Sequence, residues 1–291
     1  MADRGRREWV WGVVYALPAV VLVTAFLGYP LVRVVSYGLT RWDGIGAPEW
    51  VGLRNFGQLV HDQVFLDALK NNVIYATSVP VEVIGALIVA YLIHGRVPGW
   101  RIFRSAFFLP AIYSTVVVGV IAGIGLQSNG LLDNALRSSG LSFLAKDWLA
   151  HAGTARLWIV IIVVWANVGY SMLIYLAGMS TIDPNLAEAA RVDGAGPWRI
   201  LFRIYVPSLR RVVELVLVIN TITAFANMFT YIYVITNGGP GFSTYSAEFF
   251  VYNKAFTFGA LGYASAAGVI LTLVIAVLGF FQIRSLSGGR T

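Results

Sequence analysis

The 291-residue chain contains no cysteine, so a disulfide framework, a thiol nucleophile and a cysteine metal site are all excluded. Its histidines are only His61, His94 and His151, none with a partner one helical turn away, which argues against zinc. Lysine is nearly absent. Lys70, Lys146 and Lys254 are the whole set and none follows a glycine, so the chain has no phosphate-binding loop of the Gly-Lys-Ser/Thr kind. Any energised work it performs must draw on another chain. Charge as a whole is scarce: 12% of residues are charged, where a soluble globular protein carries about 25%. The net charge of +7 sits in short arginine blocks between apolar runs, a distribution that suits membrane orientation and not nucleic acid.

What the chain has instead is apolar length. Hydrophobic residues make up 58% of it, against roughly 45–50% in soluble domains, and the excess must face lipid. A bilayer core needs roughly 20 helical residues to cross. Residues 9–32, 105–132, 157–182, 215–247 and 255–283 carry no formal charge, and 71–95 carry only Glu82. These stretches predict six transmembrane helices near 11–34, 73–94, 105–126, 157–179, 212–235 and 260–283. The first follows a basic segment like that of a signal peptide, but it is long and interrupted by Pro18, so it is expected to stay as a span. Kinks are expected at Pro18, Pro30, Pro80 and Pro110. No stretch shows the period-two alternation of a barrel strand.

Arginine placement sets the orientation. With both termini cytoplasmic, the inner segments hold Arg4, Arg6, Arg7, Arg96, Arg101, Arg104, Arg191, Arg199, Arg203, Arg210, Arg211, Arg284 and Arg290. The outer segments are longer yet hold only Arg33, Arg41, Arg54, Lys70, Arg137, Lys146, Arg156 and Lys254. Basic residues are thus denser on the inner side.

One inner loop is long, 180–211. Asp183-Pro184 suits a helix start, since Asp caps free N–H groups and Pro fits the first helical position. The helix then meets Asp193-Gly194, with glycine suited to a left-handed cap. Gly196-Pro197 opens a second short helix, from Trp198 to Tyr205, which Pro207 is expected to break. Two readings of this elbow stand. It is a connector lying on headgroups through Trp198, Arg199 and Arg203, or a docking element whose Ala187-Glu188-Ala189-Ala190 patch admits another protein closely.

These residues carry a resemblance. Glu188-Ala189-Ala190, three residues, Gly194, nine residues, Ile204, one residue and Val206-Pro207 resembles the EAA motif of permease subunits of binding-protein-dependent ABC importers, departing only at Val206, where leucine is usual. Gly52-Leu53-Arg54-Asn55-Phe56 is similar to a G-L-x-N-F segment of carbohydrate permeases. Phe103-Arg104, Phe108-Leu109-Pro110 with Ser114, Thr236-Asn237-Gly238-Gly239-Pro240 and Gly262-Tyr263-Ala264-Ser265-Ala266 look like further segments of the same family, in the same order. The resemblance runs from about Trp9 to Arg284 and is nearest the maltose and glycerol-3-phosphate "first permease" type.

It implies an all-α integral membrane protein of the type I ABC importer permease fold in a prokaryotic cell membrane. The division would be 1–68 (N-terminal arm, first helix and outer loop), 69–284 (core permease domain) and a cytoplasmic tail 285–291. It also implies a second, different permease, two ATPase subunits that bind the ATP and Mg, an extracytoplasmic binding protein and a carbohydrate cargo. This chain would hold no cofactor and catalyse nothing. Glu188, Ala189, Ala190, Gly194, Ile204 and Pro207 would couple it to the ATPase, with Glu188 meeting a basic partner residue and Gly194 setting the turn.

A translocation pathway needs polar groups facing inside the bundle, because lipid penalises them. Asn220, Thr223, Asn227 and Thr230 share a face of the fifth helix, seven apart in two pairs, with Tyr231 and Tyr233 beyond. Asn167, Tyr170, Ser171 and Tyr175 recur at helical spacing on the fourth. Amides, hydroxyls and aromatic faces suit a sugar; hydrogen bonding between helices is the competing reading for any one of them. Glu82, the one formal charge deep in a span, should face protein or water, or be protonated. Three alternatives stay open: proton coupling through Glu82, a glycerol-3-phosphate or other polyol cargo, and a self-sufficient secondary transporter.

Overall fold

The computed structural model describes the backbone of residues 2–287 and the side chains of 11–284. The side chains of Arg4, Arg6 and Arg7, Arg290, and the side chains of the expected tail 285–291 lie outside the described residues. The chain is helical almost throughout and divides into two units, residues 1–62 with 251–272 and residues 63–250 with 273–291.

In the first unit, the span Trp11–Gly38 keeps its apolar core wholly exposed, with Tyr15 at 78% and Phe26 at 74%. Such a surface is stable only against lipid or another subunit. The span runs four residues beyond the expected end at 34. Thr40–Arg41 then pairs antiparallel with Glu49–Trp50, a short hairpin that the all-helical expectation did not include. Buried Asn55 ties it down, its Nδ2 donating to Gly38 O at 2.9 Å and Thr40 O at 2.8 Å. That is the local work of the Gly52–Phe56 segment.

The second unit is the bundle. Its spans are Gln63–His94, which begins ten residues before the expected 73, and Ala152–Met179, joined by two bent pairs. The helix expected at 105–126 is instead Trp100–Ile112 and Thr115–Leu126, meeting at 106°. Pro110 cannot donate to the ladder near the end of the first, Tyr113 is extended, and the Ser114 side chain caps the second by accepting from Val117 N–H. The helix expected at 212–235 is Arg210–Ala226 and Phe229–Ile235, bent by 50° where Asn227 leaves helical geometry. Among the described residues, four helices are long and apolar enough to cross a bilayer, or six if each bent pair is one span. The count of six therefore holds only with two of the spans broken.

Ala152–Met179 is the central helix. Met172, Tyr175 and Met179 pack with Val83, Ala86 and Ala90 of the second span and with Leu201 and Val216. Gly169 lets it approach the Trp100–Ile112 helix: a Cβ there would stand 2.1 Å from Phe107 O.

Candidate functional site: a polar cavity and an exposed elbow

Two features of the second unit collect the candidate residues. The first is the elbow. Asp183 caps Pro184–Val192 by accepting from Asn185 N–H at 3.0 Å. The far end closes as a Schellman motif, Ala195 N–H donating to Ala190 O (2.8 Å) and Gly194 N–H to Arg191 O (3.0 Å), with Gly194 at φ +77°. A second helical run, Pro197–Ile200, continues through a π-turn into Val206–Ser208. Pro207 does not end it, contrary to the expectation. It occupies the first turn of Val206–Ser208, where its missing N–H costs little, and the interruption falls at Leu209.

The elbow is mounted on the bundle. Ala187, Ile200, Leu201, Tyr205 and Leu209 are buried in its core, with Ile204 and Ala190 packed partly against it. Tyr91 donates its hydroxyl to Pro197 O at 2.9 Å and meets the Tyr205 ring edge-on. Of the expected coupling residues, Ile204 and Ala190 therefore face partly inward, while Glu188, Ala189, Gly194 and Pro207 are exposed. Among the described residues Glu188 has no hydrogen bond or ion pair. Beside it stand two exposed apolar side chains that sequence reasoning missed, Leu186 at 52% and Val192 at 88%. Their signal was spacing: each lies three residues from Ala189, one before it and one after, so they flank it on the helix. A rigid mount below and a small-residue, apolar and singly acidic face above make a surface suited to carrying force.

The second feature is a cavity of about 430 Å³ at the bend of the broken span, lined by Thr115, Asn167, Thr223, Ala226, Asn227, Phe229, Thr230 and Tyr231. Five expected pathway residues thus meet: Asn167, Thr223, Asn227, Thr230 and Tyr231. The Nδ2 of Asn167 is buried with no hydrogen-bond partner, a donor left available to whatever fills the space. Asn220 and Ser171 do not reach the cavity. Both are buried, and Asn220 Nδ2 donates to Ser171 Oγ at 3.2 Å, the interhelical bond that was the competing reading. Tyr170 is 55% exposed and does not line it. Thr115 was missed because it comes from the second half of the bent pair, a helix start that periodicity does not reveal. Glu82 is 1% exposed and does not line the cavity. No lining residue is basic. Among the described residues no group of three His, Asp or Glu side chains could hold a metal.

Comparison with known proteins gives the family and the fold. Residues 59–288 match the model of a family described as "Binding-protein-dependent transport system inner membrane component". The probable ABC transporter permease protein YurN of Bacillus subtilis is 34% identical, over 95% of this chain and 96% of its own. The lactose transport system permease protein LacF of Rhizobium radiobacter is 31% identical, over 93% of this chain and 92% of its own. The sn-glycerol-3-phosphate transport system permease protein UgpA of Escherichia coli is 30% identical, over 97% and 96%. Among solved structures, a chain of a bacterial ABC transporter involved in import of the acidic polysaccharide alginate superposes with a TM-score of 0.80 at 22% identity, covering 99% of both chains.

Proposed function

This chain belongs to the family of binding-protein-dependent transport system inner membrane components, and from that premise we propose that it forms half of a gated carbohydrate pathway moved by a partner's ATP cycle. It is a multi-pass membrane permease subunit of an ABC importer. Its partners in this reading are a second permease, two ATPase subunits holding the ATP and Mg, and an extracytoplasmic binding protein that delivers the cargo. The setting is a prokaryotic inner membrane, with both termini and the elbow cytoplasmic, as the arginine distribution favours. Functionally, 69–284 carries both pathway and coupling, and 1–68 the peripheral arm.

The carbohydrate reading rests on the family and its relatives, and the cavity lining suits it. Threonine hydroxyls, asparagine amides and two aromatic rings can bind sugar hydroxyls and stack on C–H faces. An anion in a low-dielectric site needs a counter-charge, and the eight lining residues supply none. A glycerol-3-phosphate cargo, the kind a relative's name states, would therefore draw its counter-charge from the second permease. Among the described residues, too, no row of buried charges supports proton coupling.

The single observation that carries the mechanism is the elbow: capped at both ends, mounted on the core, and exposing Glu188 and Ala189 with nothing among the described residues to cover them. The test substitutes Gly194. A Cβ there meets no atom within 4 Å, so bulk clashes with nothing in the described residues and costs this chain only the strain of a left-handed backbone. Gly194→Asn, which tolerates the left-handed backbone, should keep transport. Gly194→Trp should insert normally yet hydrolyse ATP without uptake. Normal uptake by the Trp variant in vesicles rejects the coupling role.

A further inference from the structure

A helix broken inside a bilayer exposes carbonyls and N–H groups that no water can satisfy, so something else must. At the Asn227–Met228 break two side chains from distant segments do so. The Nδ2 of Asn72, on Gln63–Tyr75, donates to Ala224 O at 3.3 Å, serving a carbonyl from the last turn before the break. On the other side, Met228 N–H donates to Glu248 Oε1 at 3.1 Å. The two side chains also bind each other, Asn72 Nδ2 to Glu248 Oε2 at 3.3 Å, and Asn72 Oδ1 accepts Ala247 N–H at 2.7 Å. Asn72 is fully buried. Burial in Ala247–Tyr252, a short helix outside the candidate spans, pushes the Glu248 carboxyl up, while hydrogen bonds from its own backbone, Ser246, Met228 and Asn72 pull it down.

The knot reaches further. Asn71 Nδ2 donates to Ser243 O (2.8 Å) and Tyr245 O (2.9 Å), Arg156 donates to Asn71 Oδ1 (3.2 Å), and Tyr75 donates to Thr244 O (2.8 Å). The loop 243–248 is thus bound to the same span that serves the break. Neither Asn72 nor Glu248 lines the cavity or belongs to the elbow.

We propose that Asn72 and Glu248 are positioning residues for transport: together they set the bend that presents Thr223, Asn227 and Thr230 to the cavity, and they tie that bend to the loop 243–248. This deepens the pathway reading and rests on it. The chemistry of the pair is directional. Glu248 must accept twice, from Met228 N–H and from Asn72. Glutamine has the same shape but only one oxygen, and its amide would face the Asn72 amide, donor against donor. Asn72 cannot turn to relieve this, since Ala247 N–H and Ala224 O fix its two ends. An aspartate at 72 could accept both from Ala247 and from a glutamine at 248, but it has no donor for Ala224 O, so it repairs the contact with residue 248 and not the one with the break.

The chain's lack of cysteine makes the test direct. Single cysteines replace Thr223, Asn227 and Thr230 in the assembled transporter in membrane vesicles, and modification by a methanethiosulfonate reagent is timed. Glu248→Gln should change the rate at 227 relative to 223 by about tenfold, the scale of losing one buried charge-assisted bond. Glu248→Gln with Asn72→Asp should return it part of the way towards the native ratio, because the clash at 248 is relieved while Ala224 O stays unserved, a rescue that simple packing does not predict. An unchanged ratio in Glu248→Gln, or a double variant no nearer the native ratio, overturns the proposal. Should Glu248→Gln fail to assemble, recovery of assembly by the double variant supports it and failure of both overturns it. No modification at any of the three positions in the native background rejects the pathway reading itself, and the proposal with it.

Discussion

Gly194 separates two constraints that usually arrive together. Its φ of +77° makes it a backbone requirement, worth about 1 kcal/mol against an ordinary side chain, whereas the space around it is open. Any loss in Gly194→Trp well beyond that in Gly194→Ala, which carries the same backbone strain, therefore comes from outside this chain. Asn167 tests the cavity in the same spirit. Its Nδ2 has no partner here, so Asn167→Ala should leave the assembled protein as stable as before. It should raise the half-saturation for uptake of the labelled cargo by about 2–10-fold, the value of one net hydrogen bond. Equal uptake curves contradict a cargo contact. At this scale much was legible: seven-residue spacing brought Thr223, Asn227 and Thr230 to one wall. Periodicity names a face but not a depth, which is why Asn220 and Ser171, on the same stripes, bind each other instead. Asn72 and Glu248 were not legible at all. Their bonds span long stretches of sequence to backbone atoms, and no local pattern encodes that.

At the scale of elements, the span breaks matter most. Apolar length predicted where the chain crosses the bilayer, and it did so within a few residues for Ala152–Met179 and the last helix. It could not distinguish a straight crossing from a bent one, because hydropathy is blind to Ser114 starting a new helix or Asn227 leaving one. The elbow was the most legible element, since its caps are local chemistry: Asp183, Pro184 and Gly194 act within a few residues of themselves. Close helix packing gives a check on the bundle. Gly169→Ala places a methyl against Phe107 O and should cost about 1–3 kcal/mol, lowering the detergent melting temperature, while Gly268→Ala, with nothing within 4 Å, should leave it unchanged. Equal melting of the two contradicts the described helix contact. Orientation is tested by membrane-impermeant maleimide. A cysteine at Phe242, 55% exposed, should react from outside intact cells, and one at exposed Asn185 only after permeabilisation. The reverse pattern would invert the topology.

At the scale of the whole molecule, scarcity and exposure point the same way. A chain without a phosphate-binding loop, with an uncovered first span and an uncovered elbow, is one part of a larger machine. Its polar cavity sits at a bend, and bends can change where straight helices cannot. The elbow is fixed to the core through Ala187, Leu201 and Tyr205, so a push on Ala189 moves bundle helices and is not absorbed by a loop. In the proposed coupling this push comes from an ATPase subunit seated on the elbow. A photo-crosslinking amino acid at Ala189, in the transporter assembled in its native membrane, tests it most directly. Irradiation followed by mass spectrometry should give an adduct between this chain and the ATPase subunit, absent when the probe stands at Phe242. Adducts with lipid alone from position 189 would contradict it.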